Sequence, residues 1–135
     1  MRKRTLAREC ALKILYQIDL TQEPAESCID NFWKFNEEIE PEVKDFSVML
    51  VKKTIENLEQ IDKNISKLAE NWDLSRMAII DKNILRLSSC ELLYLEEVPP
   101  KVSINEAVEL AKKYSGVDSS KFVNGILDKV KSSRS

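Results

Sequence analysis

From the seventh residue onward, apolar side chains recur every three or four positions. Ala7, Cys10, Ala11, Ile14, Leu15 and Ile18 fall on one stripe of an α-helix, the pattern of a helix laid against a core. Val43, Phe46, Leu50 and Val51 lead into Ile55, Leu58, Ile61, Ile65, Leu68 and Trp72, which predicts one long helix with heptad-like spacing. Phe122, Val123, Ile126, Leu127 and Val130 repeat the pattern near the end. Only two glycines and four prolines occur in 135 residues, too few for the tight turns of a β-architecture. The chain reads as all-α, and its length suits a single compact domain over 1–135.

Local punctuation divides the pattern into elements. Pro24 and the polar residues around it end the first helix, and Ser27 or a neighbour is expected to cap a short second helix through Ile29, Phe32, Trp33 and Phe35. Glu40-Pro41-Glu42 restarts the chain, with Pro41 near a first helical turn and both carboxylates favourably placed for the helix dipole. Asp73 or Ser75 caps the next segment, in which Met77, Ile79, Ile80, Ile84, Leu85, Leu87, Leu92, Leu93 and Leu95 crowd more than one face, as in a central helix. Val98-Pro99-Pro100 must break it. Ser103-Ile104-Asn105-Glu106 has the spacing of a capping box, with Val102 as staple. The stripe Ala107, Val108, Ala111 and Tyr114 ends at Gly116, the expected residue beyond a helix C-terminus. Asp118 or Ser119 then opens the last helix.

The formal net charge of −2 conceals an asymmetry. Residues 1–13 carry Arg2, Lys3, Arg4, Arg8 and Lys13 against Glu9 alone, whereas eight carboxylates lie between Glu23 and Asp45 with only Lys34 and Lys44 opposing them. A polyanion is therefore steered to the basic ends. Cations at a helix N-terminus oppose its dipole, so helix stability does not account for them. An anionic partner does, and arginine suits phosphate forks and base stacking. Tyr16, two turns beyond Arg8, has two readings: a platform for a base, or a half-buried core tyrosine. Gly125 inside an apolar helix costs about 1 kcal/mol relative to Ala, which points first to close helix packing and second to close approach of a ligand.

Catalytic chemistry has few supports here. There is no histidine, which removes the commonest general base and metal ligand. The two glycines, Gly116 and Gly125, form no phosphate loop. Cys10, Cys28 and Cys90 form neither a CxxC pair nor a zinc set, and an odd number of separated thiols suits a reducing compartment. No catalytic residue, metal or cofactor is expected. Arg8, Glu9 and Lys13 interrupt any apolar run near the start, so the sequence offers neither a signal peptide nor a membrane span, and a cytoplasmic location is expected.

Three stretches carry a family resemblance: Ala7-Arg8-Glu9-Cys10-Ala11-Leu12 with Leu15-Tyr16, Pro99-Pro100-Lys101-Val102-Ser103-Ile104-Asn105-Glu106-Ala107-Val108-Glu109-Leu110-Ala111-Lys112, and Lys121-Phe122-Val123-Asn124-Gly125-Ile126-Leu127-Asp128. Together they closely resemble the bacterial transcription antitermination factor NusB, in order and over essentially the whole length. The acidic stretch from Glu23 to Glu42 is not diagnostic.

The resemblance implies a fold of two perpendicular three-helix bundles. It also implies a non-catalytic adaptor that binds boxA RNA of rRNA leader transcripts together with NusE, a small-ribosomal-subunit protein. The wider partners would be the transcribing RNA polymerase complex with other Nus factors, and a homodimer is an alternative state. RNA contact passes by resemblance to Arg2, Lys3, Arg4 and Arg8, with Tyr16, Lys121 and Phe122 as neighbours. Asp81 and Asp118 match acidic positions associated with the RNA and NusE surfaces. Here Thr5 and Leu6 interrupt the family's tighter arginine run, which weakens the case for Arg4 most. The family also occurs fused ahead of a methyltransferase domain. Because the chain ends at Ser135 without one, a stand-alone factor is expected.

Overall fold

The computed structural model describes residues 2–70 and 73–134, with Arg2 described through its backbone alone. Seven α-helices and one 3-10 turn follow in order: α1 (Arg2–Thr21), α2 (Ala25–Lys34), α3 (Pro41–Glu56), α4 (Leu58–Leu68), the 3-10 turn Leu74–Arg76, α5 (Ile79–Tyr94), α6 (Pro100–Tyr114) and α7 (Val117–Ser133). No strand occurs among the described residues. Helices α1, α2 and α3 pack on one another, as do α5, α6 and α7; α5 also touches α1, α3 and α4, which joins the two groups of three.

The stripe read from α1 is the buried one: Ala7, Cys10, Ala11, Ile14 and Leu15 are almost entirely enclosed. The crowded segment becomes the central helix α5, where Ile84, Leu85, Leu87, Cys90 and Leu92 are at most 1% exposed. A leucine buried to that degree contributes about 1.5–3 kcal/mol, and one contiguous cluster joins residues of all seven helices. The cysteines are free thiols inside it. Burial pushes the Cys90 thiol up to about 11, so it packs as a small apolar group.

Four boundary expectations are corrected. The long helix from Val43 to Trp72 breaks at Asn57, whose amide Nδ2 donates to the Lys53 carbonyl at 2.9 Å while its own carbonyl accepts from the Ile61 N–H. A short amide side chain competes for backbone partners in this way and ends one helix as another begins; Trp72 lies outside the described residues. The second helix opens directly after Pro24 without a side-chain cap, leaving Ser27 inside its first turn. Asp73 does act as a cap, accepting from the Ser75 N–H at 3.0 Å, but on the 3-10 turn that precedes α5.

The fourth correction matters most for the site. Helix α6 begins at Pro100, so Ser103 and Glu106 are not a capping box. Both are interior to the helix and turn towards a neighbour: the Ser103 hydroxyl donates to Glu91 at 2.9 Å, and Glu106 accepts from the Thr5 hydroxyl at 2.8 Å.

Candidate nucleic-acid interface

The basic residues of α1 separate into two environments. Lys3 and Arg4 are exposed at the helix start. The Lys3 ammonium lies 2.9 Å from Glu42 and 3.2 Å from Glu40. Hydrogen bonds to Glu42 and then Glu40 raise the Lys3 pKa above its ordinary value, and the same contact holds the Glu42 carboxyl below the usual carboxylate range. The Arg4 guanidinium stands 4.3 Å from the centre of the Phe46 ring, a cation-π geometry that leaves donors at the edge of the group for an anion. The Arg2 side chain lies outside the described residues.

Arg8 does not share that environment. Its helical position puts it on the buried stripe, and it is only 2% exposed. Its Nε and Nη2 donate to the two carboxylate oxygens of Glu91, each at 2.8 Å, and Nη1 lies 3.3 Å from Glu106. Glu91 is itself 1% exposed. This bidentate pair locks α1 to α5, and Glu106 ties in α6. Burial favours the neutral guanidine, yet the Glu91 and Glu106 carboxylates outweigh it and hold Arg8 charged. Arg8 was expected among the RNA contacts; in this chain its donors face inward, because a charge on the core stripe needs a buried counter-charge.

Tyr16, half-buried about 12 Å beyond Arg8 along α1 at 1.5 Å per residue, lines a shallow cleft of about 270 Å³ with Leu12, Ile80 and Tyr114. The Tyr114 hydroxyl donates to Glu9 at 2.6 Å, and the Lys113 ammonium reaches the same oxygen at 2.9 Å. Burial opposes ionisation of Glu9, but those two partners win and keep its carboxyl below the usual range. Next to this cleft, through Ile80 and Asp81, a second one of about 270 Å³ is lined by Arg76, Asp81, Asp118, Ser119 and Phe122.

In that second cleft the start of α5 meets the start of α7. Ser119 donates to Asp81 Oδ2 at 3.0 Å, while Asp81 Oδ1 is buried without a hydrogen-bond partner. Asp118 is exposed in the first turn of α7, Phe122 is half-buried against the core, and Lys121 is exposed beside it. The close-packing reading of Gly125 is corrected as well: it is exposed, and a Cβ built there meets nothing within 4 Å.

The fold thus brings Tyr16, Asp81, Asp118 and Phe122 into adjoining clefts and leaves Lys3 and Arg4 at the far end of α1. Exposed Lys13 lines the Tyr16 cleft, and exposed Lys113 at the end of α6 reaches Glu9, which lies between Arg4 and Tyr16 on α1. Sequence reasoning missed Lys113, Arg76 and above all Glu91. A carboxylate in the helix whose Ile84, Leu85, Leu87, Leu92 and Leu93 crowd more than one face was the available signal, since such a group is retained in a core only with a partner. Among the described residues no set of His, Cys, Asp and Glu is arranged to hold a metal ion, and no helix is long and apolar enough to cross a membrane.

Comparison with known proteins bears on the same residues. A family model described as the NusB family matches residues 5–132. The transcription antitermination protein NusB of Anaeromyxobacter dehalogenans is 48% identical over 130 residues, covering 96% of this chain and 91% of that protein. That of Thermodesulfovibrio yellowstonii is 44% identical over 137 residues, covering 95% and 91%. The namesake from Chloroherpeton thalassium is 47% identical over 121 residues, and there the match takes in 90% of this chain but only 57% of the relative.

Among solved structures, T. maritima NusB superposes with a TM-score of 0.90 at 35% identity, over 97% of this chain and 92% of that one. A structure of antitermination factors NusB and NusE in complex with dsRNA gives a TM-score of 0.90 at 28% identity, over 98% of each chain. With the family model spanning nearly the whole chain, relatives well above 40% identity and the helices superposing throughout, the chain belongs to the NusB family.

Proposed function

We propose that this chain is a transcription antitermination and elongation factor, a non-catalytic adaptor that binds boxA RNA of rRNA leader transcripts together with NusE. The observation that carries the reading is the exposed basic start of α1 on a protein whose formal charge is −2, in a chain of the NusB family with a structural relative solved with NusE and RNA. Lys3 and Arg4, with Arg2 beside them in sequence, supply phosphate contacts. Tyr16 and Phe122 supply apolar ring surface in the adjoining clefts, and Lys121 a further cation at the start of α7. Aromatic faces and cations in one tract suit an unpaired strand.

Arg8 serves this reading as an anchor: by fixing α1 to α5 it aims the cations that precede it. Asp81 and Asp118, which line the cleft between the starts of α5 and α7, are assigned to the partner and RNA surface. The remaining parts of the proposal are a single domain over 1–135, association with the transcribing polymerase and other Nus factors, a cytoplasmic location and a homodimer as the alternative state.

Salt dependence tests the RNA contact. For single strands the logarithm of affinity falls with the logarithm of salt by about 0.7 per phosphate neutralised. Lys3→Ala/Arg4→Ala should weaken boxA RNA binding and reduce that slope by about 1.4. An unchanged affinity and slope in the folded double variant would remove the basic start of α1 from the RNA site.

A further inference from the structure

The most acidic stretch of the chain, Glu37 to Asp45, folds back onto its basic start. Glu40 and Glu42, one on each side of Pro41, converge on the single ammonium of Lys3. Lys3, Arg4, Glu42, Asp45 and Glu97 together line a cleft of about 360 Å³. Helix electrostatics accounts for Glu42, which stands in the first turn of α3. The same field favours Glu40 at the N-cap of α3, but it does not account for both carboxylates meeting on one cation of another helix.

We propose that Glu40 and Glu42 are an intramolecular competitor for RNA phosphate at Lys3. The proposal rests on the reading that Lys3 contacts RNA. A phosphate that takes Lys3 must displace two carboxylates. Both pairs are exposed, with the Lys3 side chain 53% accessible, so the barrier to exchange is small and the latch opens readily. Its effect is a threshold: a polyanion held by charge alone binds more weakly than the basic residues would allow, and a strand with further contacts to Tyr16 and α7 still binds. The acidic stretch thereby restrains the cations it faces.

The test is a titration at about 0.1 M salt with two labelled probes, boxA RNA and an oligouridylate of equal length. Glu40→Gln/Glu42→Gln should tighten both by roughly twofold to fivefold, the range expected for exposed ion pairs. In a Lys3→Ala background the same two changes should gain no more than a charge-matched control. That control is Glu56→Gln/Glu70→Gln, with Glu56 at the far end of α3, about 20 Å from Glu42 along the helix and beyond the screening length.

If Lys3→Ala weakens binding while Glu40→Gln/Glu42→Gln matches the control, the competitor is overturned and the RNA role of Lys3 stands. If Lys3→Ala leaves both probes unaffected, the RNA role of Lys3 falls and the competitor with it. Far-UV circular dichroism of each variant establishes that the helices are intact.

Discussion

Replacing Arg8 with Met leaves the Glu91 carboxylate, 1% exposed, with the Ser103 hydroxyl as its remaining donor and no cation beside it among the described residues. Removing one partner of a buried pair costs about 3–5 kcal/mol because the other charge stays desolvated. Domains of this size have about 5–15 kcal/mol in total, so a large share of the stability should go. At roughly 3–4 °C per kcal/mol for this length, the midpoint of thermal unfolding should fall by about 10–20 °C. Urea unfolding followed by circular dichroism gives the free energy directly.

Arg8→Met/Glu91→Met removes both charges together and should recover at least half of the loss, since apolar replacement of a whole buried pair is commonly neutral or stabilising. At a temperature where Arg8→Met is folded, the salt slope of RNA binding should equal that of the unaltered chain. A stability loss under about 1 kcal/mol would refute the buried-pair account, given the 3–5 kcal/mol expected for a broken buried pair. A slope lowered by about 0.7, the value for one phosphate contact, would instead place Arg8 against the RNA.

Three further outcomes follow from the same geometry. Burial opposes the charge on Asp19, but the hydrogen bonds from Lys82 and Asn83 and the field of Arg86 hold its carboxyl below the usual range. Its stabilisation is therefore complete above the unfolded value of about 4 and is lost as pH falls through the lower folded value. Asp19→Asn should cost about 2 kcal/mol at pH 7, with the difference from the unaltered chain shrinking progressively below about pH 4 in pH-dependent urea titrations. Gly125→Ala should raise stability by up to about 1 kcal/mol, because the added methyl meets nothing and helix propensity improves; if RNA passes close to that turn of α7, the same variant weakens RNA binding, as an anisotropy titration would show. Lys121→Ala on exposed α7 should leave the melting temperature within about 2 °C, a surface change of under 0.5 kcal/mol, while lowering the salt slope by about 0.7.

Periodicity was a reliable guide wherever apolar spacing decides which face is buried, as in α1, α5 and α7. It failed where short-range side-chain chemistry competes with the backbone. Asn57 sits in an unbroken run of helical spacing, and only its amide bond to Lys53 reveals the break between α3 and α4. Ser103 and Glu106 show the opposite failure. Their spacing matches a local cap, but Pro100 can begin a helix three residues earlier and frees both side chains for Glu91, Thr5 and Arg8.

The site was legible in part for the same reason. Lys3 and Arg4 lie on the exposed side of α1, as a charge count suggests, whereas Arg8 shares the stripe of Ala7 and Ala11. What holds a charge there is a partner 83 positions away in the chain. No local pattern announces such a pairing. The contacts of Glu40 and Glu42 with Lys3 were equally hidden, because the acidic stretch has no periodicity of its own to orient it.

Fluorescence anisotropy of labelled boxA RNA titrated with this chain, in the presence and absence of NusE, tests the adaptor account most directly. The account predicts saturable binding by the chain alone that tightens by about tenfold or more with NusE, within the range of ordinary coupling between two sites, and that weakens in both cases for Lys3→Ala/Arg4→Ala. RNA affinity that is absent in both conditions, or that belongs to NusE alone and is unaltered by adding this chain, would contradict it.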